Sequence, residues 1–239
     1  MKVVILCGGK GERLREHTEN IPKPLVEIGD KPILWHIMEI YSYYGFNDFI
    51  LCLGYKGEKI KEYFNQNSNE NWNIELVDTG LNTNTGGRIK KIEKYIKADN
   101  FMATYSDGIS DINIKELIEY HKKKGKITTM TCINFRSNFG LVDIENDGLV
   151  VGFNEKPFMS MWINGGFFVF NKKIFNYLDE NSVLEDEPFK RLAKDKELVT
   201  FKYNGFWECM DTYKDTRTLN ELYNKGKAKW MVWDKNVKT

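Results

Sequence analysis

Short apolar runs rich in β-branched residues alternate with stretches of helical spacing along the first half of the chain. Val3–Cys7 is an unbroken apolar run, the pattern of a strand buried on both faces. Ile33, Leu34, Ile37, Met38 and Tyr41 recur at the three- and four-residue intervals of an amphipathic helix. Phe49–Leu53 reads as the next strand, the charged segment Lys56–Phe64 as a helix, and Ile74–Val77 as a third strand. A helix over Gly87–Ile96, a strand at Phe101–Tyr105 and a helix over Ile114–Lys123 continue the series. Strand and helix taking turns predicts βαβ units around a mostly parallel sheet.

From Ile127 the pattern changes. Thr128–Ile133, Leu141–Ile144, Val150–Phe153 and Gly165–Phe170 read as strands with little helix between them, so the sheet is expected to become mixed, with antiparallel members. Helices return at Lys172–Leu178, Glu187–Lys194 and Asp215–Asn224. The fold class is therefore α/β, a central mixed and mostly parallel sheet flanked by helices. No internal repeat or low-complexity linker interrupts it, which predicts a single domain over residues 1–239.

Charge narrows the partners. With 35 Lys and Arg against 34 Asp and Glu, no long-range field favours the backbone of a nucleic acid, so any phosphate should be bound locally. The four cysteines (Cys7, Cys52, Cys132, Cys209) are scattered without a CxxC pair, which suggests free thiols in a reducing cytoplasm and neither a zinc site nor a disulfide framework. The apolar run at the N-terminus is short for a signal peptide, and no window approaches the roughly twenty apolar residues of a membrane span. His17, His36 and His121 are too dispersed for a metal cluster. A membrane role is not expected, and the chain is read as cytoplasmic.

The candidate chemistry starts where the first strand ends. Gly8-Gly9-Lys10-Gly11-Glu12-Arg13 is a tight turn that presents bare backbone N–H groups beside cations, which suits a triphosphate. It matches neither GxGxxG nor GxxxxGK[ST], and a dehydrogenase reading lacks its glycine spacing. Downstream, Pro22 and Pro24 are expected to hold the backbone extended and fix the direction of Lys23, a cation able to neutralise charge growing on an attacked phosphorus. Asp107 follows the strand Phe101–Tyr105, at the carboxyl end where open α/β sheets place ligands. Asp211 lies far along the chain; if the two carboxylates converge, they could hold Mg²⁺ with phosphate oxygens and waters completing the octahedron.

The segments GGKGERL, IPKPLVEIG, KPILWHIM, GYKG, IKEYF, LVDTG, TGGRIK, EKP, INGGFFV, GFWECMDT and KGKAKW, in this order over nearly the whole chain, resemble the glucose-1-phosphate cytidylyltransferase family. The resemblance implies a Rossmann-like nucleotidyltransferase fold, with residues 1–126 as the nucleotide-binding part and 127–239 as the acceptor-binding part. It implies CTP as donor, a phosphorylated small molecule as acceptor, Mg²⁺ as cofactor and pyrophosphate as product. Gly8, Gly9, Gly11 and Arg13 match the triphosphate loop, with Leu6, Glu12 and Ser106 beside the nucleotide, and Lys23 matches the lysine on the reacting phosphate. Thr85, Gly86 and Gly87 match the loop against the base, and Asp107 and Asp211 the metal ligands. Glu155, Lys156, Asn164 and Gly165 match the acceptor pocket. Arg13 and Lys23 are the residues expected to be catalytic, in a reaction that needs positioning and charge neutralisation rather than a covalent nucleophile.

The chain departs from the family pattern near the acceptor. Phe158-Met159-Ser160-Met161-Trp162 stands where glycine and polar residues are expected, Arg136 replaces part of a proline-glycine stretch, and only Asn65–Asn71 separates Phe64 from Trp72. An apolar wall with Arg136 nearby favours a short ionic acceptor with an alkyl stem. The chain resembles a branch of this enzyme class that uses phosphoglutamine in place of the sugar phosphate in capsule phosphoramidate synthesis, which implies phosphoglutamine as the acceptor, with glucose-1-phosphate as the alternative and a nucleotide-binding module without turnover as the further one. The family implies a homo-oligomer, here read as a dimer.

Overall fold

The computed structural model describes residues 1–11, 14, 20–67, 69–137 and 139–234. Strand β1 (Val3–Leu6) is buried along its whole length, because it has a core on each side. Val3 and Ile5 enter one apolar cluster and Val4 and Leu6 the other, the alternation that a pleated strand imposes on an all-apolar run. Two short strands, β2 (Glu27–Ile28) and β3 (Lys31–Pro32), pair antiparallel through Gly29, whose φ of 66° is in the left-handed region. Helix α1 (Ile33–Tyr43) follows, and its Ile33, Leu34, Ile37 and Met38 pack on the same side of the sheet as Val3 and Ile5.

The next elements are β4 (Asp48–Leu53), α2 (Gly57–Gln66), β5 (Asn73–Asp78), α3 (Thr85–Lys91), β6 (Asn100–Tyr105), β7 (Gly108–Ser110) and α4 (Ile114–Lys124). Helix α3 ends earlier than its sequence pattern predicts, giving way to a 3₁₀ turn at Glu93–Tyr95. Then come β8 (Thr128–Arg136), β9 (Leu141–Ile144), β10 (Val150–Asn154), the fourteen-residue β11 (Phe158–Asn171), α5 (Glu187–Lys194), β12 (Leu198–Tyr203), β13 (Trp207–Cys209) and α6 (Tyr213–Asn224). Lys172–Tyr177 is 3₁₀ rather than α-helical.

The main sheet has seven strands in the order β12-β8-β11-β6-β1-β4-β5. β1 pairs parallel with both β4 and β6, and β11 alone runs antiparallel to its neighbours β6 and β8. The mixed sheet predicted from the change of pattern at Ile127 is therefore present, and strands from both halves of the chain contribute to it. The chain leaves β1 toward β4 and β5, then returns to add β6 on the other side of β1. That reversal opens a crevice beyond the carboxyl ends of β1 and β6, the place where open α/β sheets bind ligands.

Strands β9 and β10 form a two-stranded ribbon outside the main sheet. Phe139, Ile144, Val151, Phe153 and Phe158, in or beside that ribbon, are exposed. Among the described residues no helix is long and apolar enough to cross a membrane.

Candidate functional site

A cavity of about 870 Å³ fills the crevice at the carboxyl ends of β1 and β6. Its floor is the turn after β1. Gly8 is buried, and a Cβ there would lie 2.1 Å from the Arg88 guanidinium, so only glycine fits; Gly9 faces open space. Gly11 takes a φ of 63°. Leu6 lines the same floor, and its carbonyl accepts a hydrogen bond from Ser106 Oγ at 2.9 Å, which ties the end of β1 to the end of β6. Glu12 and Arg13 lie outside the described residues.

Lys23 enters from the side. Pro22 is extended, as the sequence predicts, but Lys23–Leu25 coil into a single 3₁₀ turn closed by Leu25 N–H to Pro22 O at 2.8 Å. The extended backbone expected around Lys23 is thus confined to Pro22, because Pro24 at the start of the turn also suits a helical φ. Lys23 is 8% exposed, and its ammonium donates to Asp107 Oδ2 and to Asp211 Oδ1, at 2.8 Å each. Burial pulls the Lys23 pKa down, but Asp107 and Asp211 outweigh it and hold the ammonium above its ordinary value.

The convergence of two aspartates more than a hundred residues apart has a local cause. β13 pairs antiparallel with β7, setting Cys209 opposite Gly108, and Met210 N–H then donates to Asp107 O at 2.8 Å. Asp211 is delivered beside Asp107 by this three-residue ribbon. It is braced from behind, since its N–H donates at 3.1 Å to Asp215 Oδ2, part of the capping box that starts α6.

The pair fits a divalent cation. Two hard carboxylate oxygens already share one positive charge, the Lys23 ammonium, at hydrogen-bond distance. Two carboxylate oxygens would suit an ion such as Mg²⁺, which keeps waters and takes substrate phosphate oxygens. Cys209 also lines the cavity, and burial first, then Asp107, pushes its thiol well above the ordinary range, which disfavours the thiolate.

The other predicted residues divide into two groups. Thr85, Asn164 and Gly165 line the cavity. Gly86 and Gly87 do not: a Cβ on Gly86 would meet Ser182 at 2.8 Å and one on Gly87 the Glu180 carbonyl at 2.2 Å, so these glycines let α3 press against the backbone of 180–182. Arg136, Glu155 and Lys156 are also apart from the cavity. They flank the exposed β9–β10 ribbon, where Arg136 stacks on the Phe158 ring at 4.8 Å and Lys156 pairs with Glu155 at 3.4 Å. Trp162 is covered by Lys202 and does not line the cavity. Phe158–Trp162 belongs to β11, where it pairs with the end of β8 in the main sheet, and none of it lines the cavity, so the expected apolar acceptor wall is not a wall of the cavity.

Several lining residues were not singled out from the sequence. Arg88 is 4% exposed and donates to the carbonyls of Gly8, Leu53 and Gly80 and to Thr79 Oγ1, within 2.6–2.9 Å. Among the described residues no carboxylate pairs with it, so its charge stands behind the glycine turn and favours an anion there. Trp207 Nε1–H donates to Gly165 O at 2.7 Å, closing the far wall. Tyr105 and Glu185 complete that wall. An arginine within TGGRIK and a tryptophan four residues before Asp211 were the signals available.

The family model described as "Nucleotidyl transferase" matches residues 2–226. The probable glucose-1-phosphate cytidylyltransferase of Bacillus subtilis (strain 168) is 49% identical over 255 residues, covering 98% of this chain and 100% of that protein. The glucose-1-phosphate cytidylyltransferase of Salmonella typhimurium is 45% identical over 258 residues, with the same coverage. Among solved structures, HddC from Yersinia pseudotuberculosis superposes with a TM-score of 0.74 at 28% identity, covering 93% of this chain and 99% of that one. An apo UDP-glucose pyrophosphorylase shares the fold with a TM-score of 0.73 at 18% identity, over 94% of this chain and 98% of its own.

Proposed function

Because this chain belongs to the nucleotidyl transferase family and, within it, to the glucose-1-phosphate cytidylyltransferase-like enzymes, we propose that it transfers CMP from CTP to glucose-1-phosphate and releases pyrophosphate. The observation that carries the reading is the Lys23 ammonium suspended between Asp107 and Asp211, above the glycine turn in the crevice. The acceptor is taken from the two relatives named for it. The apolar segment that favoured phosphoglutamine lies away from the cavity and no longer supports that choice.

In this reading a phosphate oxygen of the acceptor attacks the α-phosphorus of CTP, and the bond to the pyrophosphate breaks. The backbone N–H groups of Gly8–Gly11, with Arg88 behind them, hold the triphosphate. Asp107 and Asp211 would hold Mg²⁺, which would neutralise charge on the triphosphate oxygens. The Lys23 ammonium, at the same end of the crevice, faces the reacting phosphates and offsets the charge growing there. Asn164 and Gly165 face the acceptor. No residue forms a covalent bond to either substrate, and the work is positioning and charge neutralisation.

The test is pyrophosphate release by the purified chain with Mg²⁺, each of CTP, UTP, dTTP and GTP, and either glucose-1-phosphate or phosphoglutamine. CTP with glucose-1-phosphate should give the highest kcat/KM. A preference for another triphosphate overturns the donor, and a preference for phosphoglutamine overturns the acceptor.

A further inference from the structure

One wall of the cavity is a chain of hydrogen bonds whose direction is fixed from end to end. Glu185, in the segment before α5, receives the Thr85 hydroxyl on Oε2 at 2.6 Å and the Tyr105 hydroxyl on Oε1. A carboxylate only accepts, so both hydroxyls must donate to it. Thr85 Oγ1 is then free to accept the Leu184 N–H, at 2.9 Å, and Tyr105 Oη to accept from Asn164 Nδ2, at 3.1 Å. Asn164 Oδ1 in turn accepts the Gly166 N–H at 2.9 Å, which decides which way its amide faces. Gly166 has a φ of 78°, and a Cβ there would lie 2.6 Å from the Tyr105 ring, so the close approach that aligns Tyr105 with Asn164 requires glycine.

The chain joins segments distant in sequence: the first turn of α3, the end of β6, the middle of β11 and the segment leading to α5. Thr85 and Asn164 belong to opposite substrate sides in the proposed reaction, Thr85 to the nucleotide and Asn164 to the acceptor. A carboxylate in a cavity that takes phosphates must also face their uncharged ends, because its charge repels the others. Glu185 is the one charged member of the chain, and Tyr105 keeps its proton, since burial and then the Glu185 carboxylate push its pKa well above the ordinary value.

We propose that Glu185 is a positioning residue for transfer: through Tyr105 it sets the amide of Asn164 toward the acceptor, and through Thr85 it sets the first turn of α3 against the nucleotide. This rests on the reading of the cavity as the place where CTP and the acceptor meet. Glu185→Gln presents an amide that can still accept from Tyr105 but opposes the Thr85 hydroxyl with an N–H; Tyr105→Phe cuts the acceptor arm; Thr85→Val cuts the nucleotide arm.

The experiment is steady-state kinetics of these variants, with thermal midpoints measured beside them. Tyr105→Phe should raise the KM for the acceptor about ten-fold and leave that for CTP little changed, the size of a lost hydrogen bond to a charged group. Thr85→Val should do the reverse and Thr85→Ser should restore it. Glu185→Ala should raise both, and Glu185→Ala combined with Tyr105→Phe should raise the acceptor KM no further than Glu185→Ala does alone. Effects that simply multiply in the double variant, or that follow the thermal midpoint with no separation between the two substrates, overturn the proposal. A wild-type chain that releases no pyrophosphate overturns the proposed function instead, so the two failures are distinguishable.

Discussion

Lys23 holds two carboxylates that would otherwise face each other in a partly buried crevice, each within 2.8 Å of its ammonium. Lys23→Ala removes that cation. Transfer should fall by a factor of about 10² to 10³, as when one preorganised charge-stabilising donor is lost. The far-UV circular dichroism should be unchanged, because Asp107 and Asp211 are about a quarter exposed and water can take over part of their solvation. Turnover close to the wild-type value would sink the role given to Lys23. Gly8→Ala tests the floor: its Cβ would enter the Arg88 guanidinium, which must move and release the carbonyls it holds. The expected cost is about 1–3 kcal/mol of stability together with weaker CTP binding, read by urea unfolding and by titration calorimetry. Unaltered CTP affinity would separate Arg88 from the triphosphate.

At the level of elements, the start of α6 serves two ends at once. Thr212 and Asp215 form a reciprocal capping box, and the same Asp215 oxygen takes the N–H of Asp211. Thr212→Ala should cost about 1 kcal/mol of stability, the usual loss of a side-chain cap, seen as a lower urea midpoint with an unchanged m-value. Turnover should drop as well, since the carboxylate that shares Lys23 is positioned from that cap. A stability loss with full turnover would show that the β13–β7 pairing alone is enough to hold Asp211.

For the molecule as a whole, acid should be the weak side. His36 Nε2–H donates to Ile28 O at 2.9 Å, and its Nδ1 accepts from Trp230 Nε1–H at 3.4 Å, so the fold holds the neutral ring. Burial lowers its pKa to about 4, and burial does the same to His121. A histidine whose folded pKa is below its unfolded value binds fewer protons when folded. Its contribution is therefore complete above the unfolded pKa of about 6.5 and is lost as pH falls from there toward 4. Going from about pH 7 to about pH 5 should cost on the order of 2 kcal/mol through His36, measured by urea unfolding at the two pH values. A flat stability profile over that interval would contradict a buried neutral His36.

Much of this molecule was readable from neighbouring residues. The periodicities of Val3–Leu6 and Ile33–Tyr43 each depend on which faces of a single element are apolar, a property carried within a few residues, and both elements formed as read. The glycine turn and the lysine between two prolines are local in the same sense. Short strands such as Trp207–Cys209 were missed because three residues carry no period, and the strand at Leu198–Tyr203 was passed over. The site itself is a matter of sheet order and strand pairing. Asp211 meets Asp107 because β13 pairs with β7, and Arg88 reaches behind Gly8 because α3 packs where the chain reverses at β1. The same long-range pairing sets Arg136 opposite Phe158 where β8 meets β11, leaves Glu155 and Lys156 after β10, away from the cavity, and brings Glu185 in beside Thr85 and Tyr105. Spacing along a chain encodes which residues share a face; only the folded backbone decides which distant faces meet, since that depends on contacts between segments that no local pattern contains.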